Sequence, residues 1–208
     1  MFKRVTLAMI MMLFVLSACN SKRAEAPQST YEQIQKKLSG LQTYKSEATV
    51  KYVSNKDANE YNTLQHCKIT GEYRVEVIGP QNVAGNVTLF DGQNIGQFNP
   101  KIGAELRLVK AEARDRSEIF LTSFIRNYFN SDETSVSVSN LGDTDCTVLE
   151  AVVPGGHPYL TNEKLWVDND TKMPVRLVVY DPEGVERIVV TYKTFEYNIE
   201  LEDSLFSV

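Results

Sequence analysis

The chain carries two histidines, His66 and His157, and three cysteines, Cys19, Cys67 and Cys146. Any Ser/His/Asp or Cys/His nucleophile must be built on one of those two imidazoles. His66 precedes Cys67, which suggests a thiol beside its base. Neighbouring residues of a strand point to opposite faces, however, so the two side chains would not meet, and a buried Cys at a strand start is expected. His157 lies between Pro154-Gly155-Gly156 and Pro158, which is turn chemistry. Zinc would need His66, Cys67, Cys146 and His157 to converge without any CxxC, HxxxH or HExxH spacing. Asp168 and Asp170 offer paired carboxylates, but Thr171-Lys172-Met173-Pro174 supplies neither the Gly nor the Glu of a calcium loop, and a turn is expected. Glu112, Arg114, Asp115 and Arg116 read as a solvated mixed-charge stretch, and Gly155-Gly156 alone does not cradle phosphate. Cys67 and Cys146 either pair outside the cytoplasm or stay free, and their spacing does not choose. No catalytic residue and no metal site is expected. The chain reads as a non-enzyme, with an unrecognised hydrolase as the residual alternative.

What remains is apolar surface. Phe98, Phe120, Phe124, Tyr128 and Trp166 either line a cleft for an acyl chain or peptide or are plain core. The elements that would position them alternate with period two. Tyr44, Ala48, Val50 and Tyr52 interleave with charged and polar residues, and strands are expected at about 45–54, 67–78, 86–91, 93–99, 105–109, 134–139, 145–153, 163–168, 174–181 and 185–193. Asp91-Gly92 marks a tight hairpin, and Asp181-Pro182-Glu183-Gly184 a turn between paired antiparallel strands. Two helices interrupt the pattern. Tyr31, Ile34, Leu38 and Leu41 form a stripe behind Ser29 or Thr30 as cap, and Phe120, Phe124, Ile125 and Tyr128 form a second behind Ser117. The fold expected is α+β, mostly β: a curved antiparallel sheet with helices covering its concave face.

The 208 residues are 42% apolar and 24% charged, enough for one sizeable core. Lys3-Arg4, the apolar run Val5–Leu16 and Ser17-Ala18-Cys19 read as a secretory signal, too short to span ~30 Å of hydrocarbon comfortably. Leu16-Ser17-Ala18-Cys19 resembles the bacterial lipobox. That resemblance makes 1–18 a lipoprotein signal peptide and Cys19 a lipidated first residue carrying diacylglycerol and an acyl chain, with no other cofactor. A conventional signal peptide with an incidental Cys is the alternative. Residues 19–30 then form the lipidated Cys and a flexible tether, and 31–208 a single domain. The net charge of −5 becomes −7 once Lys3 and Arg4 are removed, so a nucleic-acid partner is excluded.

Lys164-Leu165-Trp166-Val167-Asp168 leads to Pro174-Val175-Arg176, then to Asp181-Pro182-Glu183-Gly184, Phe195-Glu196-Tyr197-Asn198 and Leu205-Phe206. This order resembles the closing pattern of the LolA/LppX superfamily of lipoprotein carriers and lipid-binding lipoproteins, and the 31–41 helix and Leu89-Phe90-Asp91-Gly92-Gln93 match its opening half. The resemblance implies a LolA-like half-barrel of about eleven antiparallel strands closed by helices. A soluble carrier has no lipobox, so Cys19 departs from that pattern. Among anchored relatives the chain is similar to the clostridial spore germination lipoproteins of the GerS family. That similarity implies a non-enzymatic lipoprotein, held outside the cytoplasm on the cell or forespore membrane. It would bind and activate a zinc-dependent N-acetylmuramoyl-L-alanine amidase of the CwlD type, needed for cortex muramic-δ-lactam formation and germination. A homodimer is also consistent with the family, and a partner strand would add at an open sheet edge. The alternatives are a lipid or lipoprotein carrier and an envelope stress sensor that binds an anti-sigma factor.

Overall fold

The computed structural model describes residues 29–109, 117–155 and 158–207. Cys19, the signal segment, most of the tether, His157 and the 112–116 charge stretch lie outside the described residues.

Eleven strands form one sheet: β1 (Thr43–Val53), β2 (Ala58–Lys68), β3 (Tyr73–Gly79), β4 (Val87–Phe90), β5 (Asn94–Asn99), β6 (Ala104–Val109), β7 (Thr134–Leu141), β8 (Thr144–Val152), β9 (Asn162–Asp168), β10 (Pro174–Tyr180) and β11 (Glu186–Tyr197). Their order is β6-β5-β4-β3-β2-β1-β11-β10-β9-β8-β7. Two meanders therefore run outward from the central antiparallel β1–β11 pair, and consecutive strands pair throughout except β6 and β7, which lie at opposite edges of the sheet. The sheet is open and antiparallel, as the LolA-like reading expected. Register shifts at Glu47/Ala48, Asn62/Thr63, Pro174/Arg176 and Val179/Tyr180 add local twist and bending.

Three turns form where the sequence placed them. Gly92 adopts φ +97° while the Asp91 carboxylate accepts from the Gln93 and Asn94 amides. Asp181 accepts from the amides of Glu183 and Val185 and from Arg187 Nε, closing the β10–β11 turn. Asp168 accepts from the amides of Asp170 and Thr171, so these residues build a turn.

The inner face carries the core. Helix α1 (Thr30–Ser39) starts at a capping box, with Ser29 and Glu32 each bonding the other's amide, and buries Ile34 and Leu38. Helix α2 (Leu121–Asn130) buries Phe124, Ile125 and Tyr128 against the same cluster as Leu149, Leu165, Leu177 and Val190. The Tyr31 and Tyr128 hydroxyls meet at 3.1 Å and tie the helices together.

Three expectations are corrected. The segment 67–78 is not one strand: β2 ends at Lys68 and β3 begins at Tyr73, with Gly71 at φ +117° between them. Strand β2 went unrecognised because its inner-facing positions include Thr63 and Gln65, both buried, and because Cys67 sits near its end rather than at a strand start. Strand β11 continues past 193 to Tyr197, because a bulge opposite Glu47/Ala48 shifts the inward set from Ile188, Val190 and Tyr192 to Phe195 and Tyr197. Finally, Ser117 does not cap α2. It opens a 3-10 turn (Ser117–Ile119), and the α-helix begins after Phe120, which offers no side-chain cap.

Candidate functional site

Tyr44 substitutes for the missing cap. Its buried hydroxyl accepts from the Leu121 amide at 3.3 Å and donates to Gln65 Oε1 at 3.1 Å. That clamp seats Ile119 and Phe120 over the inner face of β1–β5. The Tyr73 ring lies 4.5 Å from Phe120 and 5.7 Å from Phe90, making an aromatic wall beside the packed half of the sheet. Beyond that wall a cavity of about 750 Å³ opens.

Strand β1 brings Val50 and Tyr52 to the cavity and β2 brings Asn59, Tyr61 and Thr63. Tyr52 and Tyr61 stand edge to face at 6.2 Å. Gln97 reaches it from β5, and Asn86 enters from the loop before β4. At Gly85 (φ +88°) an added Cβ would lie 2.8 Å from Pro100 Cγ, so glycine is what lets this loop close over the cavity. The Asn86 Oδ1 atom is buried with no hydrogen-bond partner. No residue that lines the cavity among the described residues is charged.

The residues expected to line a cleft divide. Phe120 lines the cavity from its inner wall. Phe98 borders it, but alternation puts this ring on the opposite face of β5 from Ile95, and it is 44% exposed, so it belongs to the rim. Phe124 and Tyr128 stack at 5.7 Å inside the packed core. Trp166 is corrected outright. Glu163, Leu165 and Val167 take the inward positions of β9, so Trp166 faces outward, where Arg176 stands 5.4 Å from its ring. The lining tyrosines and amides had not been foreseen: Asn59 and Tyr61 belong to the unrecognised β2, Asn86 to a loop, and the rest to strands whose pattern did not mark them as lining.

Among the described residues, His66, Cys67, Cys146 and Glu163 do not converge on one point. His66 faces outward on β2, half-buried, and its pKa is lowered by burial and then by Lys45 and Arg74 on the flanking strands. Cys67 is inward and fully buried, which pushes its thiol far up. Cys67 and Cys146 are both free, and β2 and β8 are separated by β1, β11, β10 and β9, so they do not pair. Glu163 is buried on the inner face between Ala151 and Val179. Burial raises its carboxyl to about 7, and Asn127 Nδ2 donates to its Oε1 at 2.7 Å. Among the described residues no three His, Cys, Asp or Glu side chains come together to hold a metal ion, and no helix is long and apolar enough to cross a membrane.

At the far end of the sheet, β7 has only β8 as a neighbour. Its eight residues include no charge and no proline, and Val136 and Val138 are 44% and 74% exposed. Long edges without such protection are open to pairing with another chain.

A β scaffold with a cavity and an open edge offers two surfaces for binding, and the chain belongs to the YdcC-like sporulation protein family, whose model matches residues 3–206. It is 34% identical to the GerS lipoprotein in the solved complex with the CwlD amidase from Clostridioides difficile, across 85% of this chain and 99% of that one, with a TM-score of 0.51. An uncharacterised conserved protein from Thermus thermophilus shares the fold at 11% identity, across 86% of this chain and 94% of that one, with a TM-score of 0.53. A LolA superfamily protein from Nitrosomonas europaea is 15% identical across 87% of this chain and 99% of that one, with a TM-score of 0.46. No curated protein sequence matches the chain.

Proposed function

We propose that this protein is a non-enzymatic sporulation lipoprotein, anchored outside the cytoplasm through Cys19, that binds and activates a zinc-dependent N-acetylmuramoyl-L-alanine amidase acting on spore cortex. The observation that carries this reading is the 34% identity, over 99% of its length, to the GerS lipoprotein found in complex with the CwlD amidase. The unprotected β7 edge offers the docking surface, since a strand added there would satisfy its outward backbone groups and cover Val136 and Val138. Zinc belongs to the amidase on this reading. The test is gel filtration of the chain from Asn20 onward, which retains every described element, with a CwlD-type amidase, together with release of peptide from muramic acid. Co-elution and a faster amidase are expected, and Val138→Lys should weaken both. Separate elution, or an amidase rate unchanged by saturating partner, would refute the proposal. Cys19→Ala should abolish membrane fractionation and acyl labelling.

The cavity supports a second reading, a lipid or lipoprotein carrier. Acyl lipid extracted from the purified domain in stoichiometric amount, with no amidase bound, would favour it.

A further inference from the structure

The cavity has an apolar wall, with Val50, Val75, Val77, Val87 and Ile119 among its lining, but it is not an apolar trough throughout. Asn59, Asn86, Gln97 and Thr63 present amide and hydroxyl groups to it, and Tyr52 and Tyr61 present ring faces and edges. An acyl chain drawn in there would strip water from the amides and return no hydrogen bond, leaving buried polar atoms unsatisfied. Asn86 Oδ1 is already in that state: buried, without a partner, and on a residue that lines the space. Charged ligands fare no better, because the described lining has no lysine or arginine to meet a carboxylate and no acid to meet an ammonium.

A neutral sugar satisfies all of these conditions. Its ring presents an apolar C–H face that stacks on tyrosine, and its edge presents hydroxyl and acetamido groups that match the donors and acceptors of Asn and Gln side chains. The volume of about 750 Å³ falls within the ~300–1,000 Å³ range of small-ligand sites. We propose that the cavity is a subsite for a neutral glycan segment, a chain of N-acetylhexosamine residues. This deepens the amidase reading and rests on it for the identity of the sugar, since such an amidase works on N-acetylated glycan strands. Tyr52 and Tyr61 stack on the ring, and Gln97 and Asn59 read its polar edge.

The experiment is calorimetric titration of the chain from Asn20 onward, with no amidase present, using chitotetraose and, separately, palmitate. Saturable chitotetraose binding is expected. Gln97→Leu and Tyr61→Ala, each checked for a native circular dichroism spectrum, should each weaken it at least tenfold. Gln97→Leu enlarges the apolar lining, so palmitate binding that rises with this variant while chitotetraose does not bind would overturn the proposal in favour of a lipid site. Absence of saturable chitotetraose binding, or binding unchanged in both variants, would also overturn it. Chitotetraose binding by a chain that fails to co-elute with the amidase would support the subsite and remove the amidase role, so the two readings fail separately.

Discussion

Glu163→Gln isolates the one buried carboxylate on the inner face among the described residues. In the unfolded chain this group titrates near 4.5, whereas burial holds it at about 7 in the fold, with Asn127 opposing part of the rise. The sign follows from linkage. Between those two values the folded state holds more protons than the unfolded state, so stability falls as pH rises. Below about 4.5 both states are protonated and the penalty is absent, and above about 7 it is fully present. At about 1.4 kcal/mol per unit, the full displacement amounts to roughly 3 kcal/mol, and about 2–3 kcal/mol of it falls between pH 5 and pH 8. Glutamine keeps the oxygen that accepts from Asn127 but puts an N–H₂ where Oε2 now lies buried without a partner, a cost of about 1–3 kcal/mol that does not depend on pH. Urea unfolding of wild type and variant at about pH 5 and pH 8 separates the two effects. The variant should improve relative to wild type by about 2–3 kcal/mol on going to the higher pH. His66 has a lowered pKa and shifts stability the other way, but it is common to both proteins and cancels in the comparison. Parallel pH profiles for the two proteins would refute the reasoning, because they would mean that Glu163 is ionised and solvated in the fold.

Phe124 is fully buried against Tyr128, so Phe124→Ala should cost about 3–5 kcal/mol in urea unfolding. Ser29→Ala breaks the capping box of α1 and should cost about 1 kcal/mol by the same measurement. The Cys67 thiol, buried and with its pKa raised, should resist Ellman's reagent at pH 8 until the chain is unfolded.

The motifs that carried the family resemblance turn out to be scaffold. Asn198, at φ 53°, accepts from the Gln42 amide and donates to Gly40 O, pinning the α1–β1 junction to the end of β11. Phe195 stacks on Tyr44 at 4.9 Å, Arg176 stands over Trp166, Asp181 organises the last turn, and Phe206 is buried beneath Lys68. Such residues hold the turns and junctions of the half-barrel, which is why the fold was legible and the site was not. The cavity draws on Tyr61 and Asn59 from a strand whose inward set is too polar to show period-two hydrophobicity, and on Asn86 from a loop that only the fold brings over the sheet. The clamp from Tyr44 to Leu121 spans 77 residues, a separation at which no local pattern operates. Trp166 failed for the opposite reason: its size suggested burial, but the alternation with Leu165 and Val167 already assigned it outward.

The two halves of the sheet bear on the choice between partner and carrier. Under α1 and α2 the inner face is filled: Leu149, Leu165, Leu177 and Phe124 have no exposure. Tyr73, Phe90 and Phe120 then wall this packed half off from the cavity under β1–β5. A carrier of multiply acylated cargo needs a continuous apolar trough, and here the open space is confined to β1–β5, where Asn59, Thr63, Asn86 and Gln97 interrupt a lining of valines and aromatics. The unprotected β7 edge lies at the other end of the strand order from the cavity-lining strands, with β8, β9, β10 and β11 between it and β1. At about 4.8 Å per strand, that places the edge some 24 Å along the sheet from β1. A protein docked on β7 would therefore leave the cavity free, and a glycan strand held there could reach the same partner without competing for its surface. Linked attachment of this kind raises the effective concentration of substrate at an enzyme without adding any contact inside the enzyme's own site. On the proposed amidase reading, two separated surfaces of this kind suit a protein that holds an enzyme and its substrate together better than one that ferries lipid between membranes.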